Sequence, residues 1–429
     1  MNTPDPAPLW IRGARVIDPA SGRDEPKADL FAVGGRIVRR LTPAQQAKAR
    51  KVDGKGLVAC PGFVDLNCRL GQPGRSARET IRAGTRAAAA GGFTSVLAMP
   101  DTLPCVDHPG TLQLIHDICE TDAAVRVLPA GTLTKGHAGQ ALAPIGSLAK
   151  QGVVAVTDTV AGVQNNEIMR RALEYAAMFG LTVIDHCQDS SMTEGAQMHE
   201  GAVSLRLGLR GFPAAAEAIV AASDCALAEL AGARMHLQGL SSAASIEVIR
   251  RARARGVRVT ADANPLHLLL TDAALAGYDT NLKLNPPLRE EADRQALVAA
   301  LADGAIDAIA SGHAPCTATE KDREFDLAPF GAATLEVAFA VAHEALVLSG
   351  AADLPTLVAR LTHGPAKVLG VAAGALAEGA AADIVLLDPK ARWTFRSKAS
   401  RSLAGNHPLE GRALRGRVTA TFVGGRAID

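Results

Sequence analysis

Between residues 60 and 315 the chain alternates short apolar runs with longer stretches in which apolar side chains recur every three or four positions. The runs are FVDLNC, SVLAMP, VRVLPAGTL, VVAVTDT, LTVIDHCQ, RMHLQGL, VRVTADANP and IDAIASGHAP, eight in all. Stretches such as RETIRAGTRAAAA, NNEIMRRALEYAAMF and SIEVIRRARARG carry the helical spacing. Neighbouring parallel strands need a right-handed crossover between them, and a helix after each run supplies it. Eight such units predict a closed α/β barrel of the (β/α)8 type. An open doubly wound sheet would carry a glycine-rich phosphate loop after its first strand. GQPG and GVVAV lack that spacing.

The two ends follow a different rule. Residues 8–41, 383–388 and 414–428 alternate apolar and polar positions around glycine turns, which predicts short antiparallel strands. The expectation is one small β-sandwich domain made by both ends, with residues 1–60 and 373–429 flanking a barrel of residues 61–372.

Composition narrows the function. Lys plus Arg number 45 against 44 for Asp plus Glu, a net charge of +1, so no broad positive field is available for nucleic acid or an anionic membrane. No apolar run reaches the roughly 20 residues of a spanning helix, and MNTPDPAPLW has no signal-peptide pattern. A cytoplasmic protein is expected. Seven cysteines, odd in number and without a C-x-x-C pair, read as reduced thiols.

Barrel chemistry sits at the C-terminal ends of the strands. Those ends present Asn67, Cys68 and Arg69, then Asp101, Asp158, His186 and Asp189, then Gly239, Asp262, Asn264, His267, Gly312 and His313. Asn67 and Arg69 lie two apart on one strand and so project to the same side. A guanidinium there repels a metal cation. Without co-ligands, His186 reads as a hydrogen-bonded structural group, and Asp158 is expected to pair with a cation, Arg69 being the candidate. His236, His267 and the histidines of the tail read as core or surface residues. The run RRARARG reads as a solvated helix face. The polar segment TATEKDREFDLAPFG has the length of a lid, a flexible surface or a docking element.

PGFVDLNCRLGQPG, ETIRAGTRAAAAGGFTSVLAMPDTLP, VIDHCQD, LNPPLREEADRQAL, SGHAP and GALAEGAAADIVLLDP together resemble the dihydroorotase branch of the amidohydrolase superfamily, in order and along nearly the whole chain. The resemblance implies a zinc centre held by a His-x-His pair on strand one, a strand-four acid, histidines on strands five and six, and an aspartate on strand eight. The strand-one pair falls on Asn67 and Arg69, the strand-six histidine on Gly239 and the strand-eight aspartate on Gly312. Asp158, His186, Asn285 and His313 match retained positions. The arginine and asparagine that hold a substrate carboxylate fall on Gly71 and Asp101.

A catalytic zinc normally takes three protein ligands and lowers the pKa of bound water from about 15.7 to about 7. Asp158 and His186 supply two. A Cys68–Asp158–His186 zinc site is the weaker variant, opposed by the charge of Arg69. Losing the charge-assisted contact at Gly71 costs an anionic substrate roughly 1.5–3 kcal/mol, or about 10- to 150-fold in affinity. The expectation is therefore an inactive dihydroorotase-like subunit without zinc, catalytic residues or cofactor. It resembles the non-catalytic chain that supports assembly of aspartate transcarbamoylase in de novo pyrimidine biosynthesis. The implied partner is the catalytic chain of that enzyme, in a hetero-oligomer or beside a homodimer. The alternative is a divergent cyclic amide hydrolase acting with one metal or none.

Overall fold

The computed structural model describes residues 6–428; the opening five residues of the expected end domain lie outside them. The strands run β1 (Leu9–Asp18), β2 (Arg23–Val33), β3 (Arg36–Val38), β4 (Arg50–Asp53), β5 (Val58–Pro61), β6 (Phe63–Cys68), β7 (Phe93–Ala98), β8 (Arg126–Gly131), β9 (Ala155–Thr157) and β10 (Thr182–Asp185). They continue as β11 (Met198–His199), β12 (Gly211–Phe212), β13 (Met235–Leu237), β14 (Val259–Ala263), β15 (Ala308–Ile309), β16 (Ile384–Thr394), β17 (Ala413–Val423) and β18 (Arg426–Ile428).

Strands β6 to β10 and β13 to β15 form one eight-stranded sheet in chain order, every neighbouring pair parallel. The barrel closes just beyond β15, where Arg69 N donates to His313 O at 3.0 Å and His313 N to Asn67 O at 3.1 Å. Each predicted apolar run supplies one of these strands. The side-chain period of two sorts their residues. Val64, Leu66, Leu97, Ala130, Ala155, Ile184 and Ala308 fill the interior, while Val96, Val156, Val183 and Leu237 face outward into the helix layer. Alanines 87, 88, 172, 176 and 228 on the covering helices meet that outer face, and their small size lets backbone approach sheet. Each fully buried Leu or Val contributes about 1.5–3 kcal/mol.

The chain ends build a second eight-stranded sheet, in the order β18-β17-β16-β5-β1-β2-β3 with β4 alongside β1. Leu9, Ile11, Val16, Ala59, Ile384, Leu386 and Phe422 share its core. Arg126 at the start of β8 pairs with Asp383 at 2.9 Å, and Thr421 Oγ1 donates to Ala89 O at 2.6 Å, which joins this sheet to the barrel. Among the described residues no helix is long and apolar enough to cross a membrane. All seven cysteines are free thiols.

The run RRARARG departs from a simple solvated face. Arg253 bridges inward to Asp307 and donates to Val259 O at 3.0 Å, tying its helix to the strand that follows. The segment after strand eight is not a loose surface either. Lys283 Nζ donates to Phe325 O at 2.7 Å and Asp326 O at 3.0 Å, and Lys321 Nζ to Thr280 O at 2.8 Å and Pro329 O at 2.7 Å. Burial lowers both ammonium groups to about 8. Four carbonyl contacts thus pin residues 321–331 against the mouth of the barrel.

Candidate active site

The strand ends surround a cavity of about 260 Å³. Asn67, Arg69, Asp101, His186, Asn264, His267 and Gly312 line it, as read from the strand ends, together with Asn285, which the resemblance names. Cys68, Asp158, Asp189, Gly239, Asp262 and His313 do not line it. Asp158 is buried, and its oxygens accept from Leu133 N at 2.8 Å, Thr134 N at 3.2 Å and Thr134 Oγ1. Asp262 accepts from Gly239 N at 2.8 Å and meets His236 Nε2 at 2.9 Å. Asp189 caps a short helix through Ser191 N and Met192 N.

The expected Asp158–Arg69 pair is absent. Arg69 Nε instead donates to Asp101 Oδ2 at 3.0 Å and its Nη1 to Asn67 Oδ1 at 3.4 Å. Asp101 is thus neutralised rather than left as a free anion. Burial raises the Asp158 carboxyl above the usual range, against the hydrogen bonds from Thr134 and Leu133. Cys68 is buried, and burial first, then Asp65 and Glu79, holds its thiol well above its ordinary value. It offers no thiolate for a Cys68–Asp158–His186 site. His313 also leaves the mouth: its ring sits under Glu79, with Nε2 3.5 Å from Oε2.

The two histidines in the cavity are neutral. Burial lowers His186, whose Nε2 lies 3.1 Å from Asn285 Oδ1, while Asn285 Nδ2 donates to Gln188 Oε1 at 2.9 Å. Burial takes His267 down to about 4. Its Nε2 donates to Pro286 O at 2.9 Å, which leaves Nδ1 as the lone-pair nitrogen, buried without a partner. Asn264 Oδ1 and Thr334 Oγ1 are also buried without partners in residues that line the cavity.

Sequence reasoning missed Arg75 and Arg78, which line the same cavity. They follow Gly71 by four and seven residues in GQPGRSAR. A loop has no periodicity that aims a side chain, so the available signal was two more arginines beside a barrel mouth. Gly71 turns the loop at φ +66°, and a β-carbon there would meet Glu79 O at 2.3 Å. Arg75 N then donates to Gly71 O at 2.7 Å, and Gln72 Oε1 accepts from Ile81 N at 2.8 Å. Arg75 and Arg78 thus bring guanidinium groups to the cavity from the loop that Gly71 turns.

The residues at the mouth do not fit a zinc pair. Asn67 and Arg69 stand on strand one, Gly239 and Gly312 offer no donor, and the oxygens of Asp158 are already taken. A donor set does occur on the other side of β10. Ligand atoms of buried Asp185, Cys187 and Asp224 lie within 4.8 Å of one another, and these three could hold a metal ion. The expectation that the chain has no place for a metal is corrected there. It rested on a count of strand-end ligands, which omits Asp224 in the helix Ala214–Ala231.

A parallel eight-stranded barrel with its polar cavity at the strand ends, joined to a sheet built from both chain ends, defines an amidohydrolase-type fold. L-hydantoinase from Arthrobacter aurescens superposes with a TM-score of 0.86 at 20% identity, covering 98% of this chain and 95% of that one. Dihydropyrimidinase from Brevibacillus agri superposes at 0.84 with 23% identity, covering 98% and 94%. A family model described as dihydro-orotase-like matches residues 56–245. The dihydroorotase of Pelotomaculum thermopropionicum is 46% identical over 420 residues, 98% of each chain, and that of Solibacter usitatus 42% identical over 97% of each. The chain belongs to the dihydroorotase family.

These full-length relatives overturn the expectation of a non-catalytic subunit, an inert pseudo-enzyme. The physical error was to equate lost metal ligands with lost activity. The cavity persists, cationic and lined with polar atoms that lack partners.

Proposed function

We propose that the chain is a divergent dihydroorotase-like cyclic amide hydrolase. The observation that carries this reading is the 46% identity to a dihydroorotase across 98% of both chains. The cavity supports it, because a cyclic amide presents N–H groups beside carbonyls. Asn264 Oδ1 is an acceptor without a donor, and Arg69 and Asn67 supply donors. In hydrolysis, water adds to the ring carbonyl, the C–N bond breaks, nitrogen takes a proton and a carboxylate forms. Arg69 holds the negative charge that develops on the carbonyl oxygen, as preorganised donors do. His267 Nδ1 accepts the proton of the attacking water. A base with a pKa of about 4 takes that proton weakly, so turnover is slow beside that of a metal-bound hydroxide.

The test is ring opening of dihydroorotate, and closure of N-carbamoyl-aspartate, by purified chain with and without added zinc. Turnover lost in His267→Ala and Arg69→Ala is expected; no turnover in either direction under any of these conditions sinks the reading. The partner implied by the resemblance, the catalytic chain of aspartate transcarbamoylase, is part of the same proposal. Co-expression of the two chains followed by sizing checks it.

A further inference from the structure

Strand β17 leaves part of one edge open. On one side it pairs with β16 along its length, and on the other β18 covers only residues 421–423. A groove of about 410 Å³ runs beside the remainder, lined without interruption by residues 416–421 and walled opposite by Ala89, Glu336, Phe339, Ser400 and Arg401. A cavity over one face of a strand touches alternate residues, so an unbroken series means that the groove follows the edge itself. Ile428, the end of β18, also lines it, and the open backbone therefore begins where that strand stops. Towards the other end Gly416 O accepts from Trp393 Nε1 at 2.9 Å and Arg415 O lies 3.3 Å from His343 Nδ1, which leaves residues 417–420 for a new partner.

The charge around this edge is largely of one sign. Arg396, Arg401 and Arg417 line the groove, against Glu336, whose oxygens accept from Arg401 N at 3.1 Å and from Ser400 Oγ. Arg396 reaches Glu410 at 3.6 Å, whereas Arg401, Arg415 and Arg417 form no ion pair among the described residues. Arg415 stands directly opposite Arg392 in the sheet, and both are exposed, a like-charge pairing that costs stability unless an anion answers it. Asp388, opposite Arg417, is held by Lys390 N and Ala391 N at 2.9 and 3.0 Å. The whole chain carries a net charge of only +1, so this excess is local. Two copies of the edge would set these arginines against each other, which opposes self-pairing; a strand bearing carboxylates fits. We propose that the open edge of β17 takes up an extended acidic segment of a partner protein as an added strand, backbone to backbone at residues 417–420 and carboxylate to guanidinium at Arg401, Arg415 and Arg417. The proposal stands apart from the hydrolase reading, since none of these residues lines the mouth of the barrel.

Fluorescence anisotropy on the full chain tests this, with a short labelled peptide alternating glutamate and valine as the probe. Its controls are the same peptide with lysine for glutamate, the acidic peptide N-methylated at alternate residues so that its backbone cannot pair, and a short single-stranded oligonucleotide. The acidic peptide is expected to bind at least about tenfold more tightly than each control, to weaken as ionic strength rises, and to slow hydrogen exchange at residues 417–420. A double variant, Arg415→Glu with Arg417→Glu, should lose at least about tenfold in affinity for the acidic peptide and gain affinity for the lysine peptide. It should not lower the thermal midpoint, because Arg415→Glu sets opposite charges across the strands at Arg392. No binding, equal affinity for the acidic and lysine peptides, undiminished binding of the N-methylated peptide, an oligonucleotide held as tightly, or an affinity unchanged in the double variant each overturn the proposal. Self-association of the parent chain that protects residues 417–420 overturns it too.

Discussion

At Gly312 the backbone sits at φ +63°, and a β-carbon built there would lie 2.8 Å from Asn264 Cγ and 2.9 Å from its Oδ1. Asn264 therefore occupies the space that the resemblance gives to a strand-eight aspartate, and the backbone beneath it has taken a form that favours glycine. Gly312→Asp is accordingly expected to destabilise the fold by about 1–3 kcal/mol through strain and crowding, without creating a metal site at the mouth. Urea unfolding and metal analysis of the variant check both parts; a stable variant that binds zinc at the mouth would show that the position can be refilled alone. Asn67, Arg69 and His186 were legible because strand ends aim side chains at a common point, and Asn285 because the resemblance names it. Arg75 was not, because its direction comes from the turn at Gly71 and from the grip of Gln72 on the helix that follows.

Strand β10 shows how one element serves two sides. His186 faces the cavity, while Asp185 and Cys187, on either side of it in sequence, meet Asp224 on the helix Ala214–Ala231. Burial pushes Asp224 from 3.8 up to about 7, and burial, then Asp224 itself, holds Asp185 well above the usual carboxylate range. The folded chain therefore binds the Asp224 proton more tightly than the unfolded chain does. That contribution is complete below pH 3.8 and is lost as pH rises through about 7. Asp224→Asn, which copies the protonated form, should gain in melting temperature over the parent at pH 8 and gain less at pH 5, with chelator present throughout. An equal difference at both pH values would show that the pair does not titrate in this range. Added zinc at pH 8 should stabilise the parent and leave the variant unmoved, because a metal at this trio needs the carboxylates ionised. Sequence reading named His186 and Asp189 at this strand end and singled out neither Asp185, Cys187 nor Asp224, since the helix packs across the strand at a contact that no local pattern encodes.

At the scale of the molecule, the C-terminal part is bound to the barrel by buried carboxylates as well as by the shared sheet. Glu79 accepts from Thr80 N at 3.1 Å, Leu403 N at 3.2 Å and Ser402 Oγ, and Glu336 accepts from Arg401 N at 3.1 Å and Ser400 Oγ. Asn406 closes the contact by accepting from Cys316 N and donating to Ala314 O, both at 2.9 Å. Residues 396–407 thus strap the loop that carries Gly312 and Phe330 into the cavity wall. Glu79→Ala strands several donors at once and should cost about 1–3 kcal/mol. Hydrogen exchange should quicken in residues 400–407 and in residues 311–316 together; acceleration in the strap alone would show that it does not brace the site. By itself the sequence determined the barrel and the joining of the two ends, because a period of two against one of three to four, repeated eight times, is a local property of the chain, and motifs such as PGFVDLNCRLGQPG and SGHAP, in order along it, carried the resemblance to the family. Only the tertiary structure decided which groups the mouth contains, turning Asp158 and His313 away and bringing Arg75 and Arg78 in. Those choices depend on where loops close and which buried polar atoms find partners across the fold.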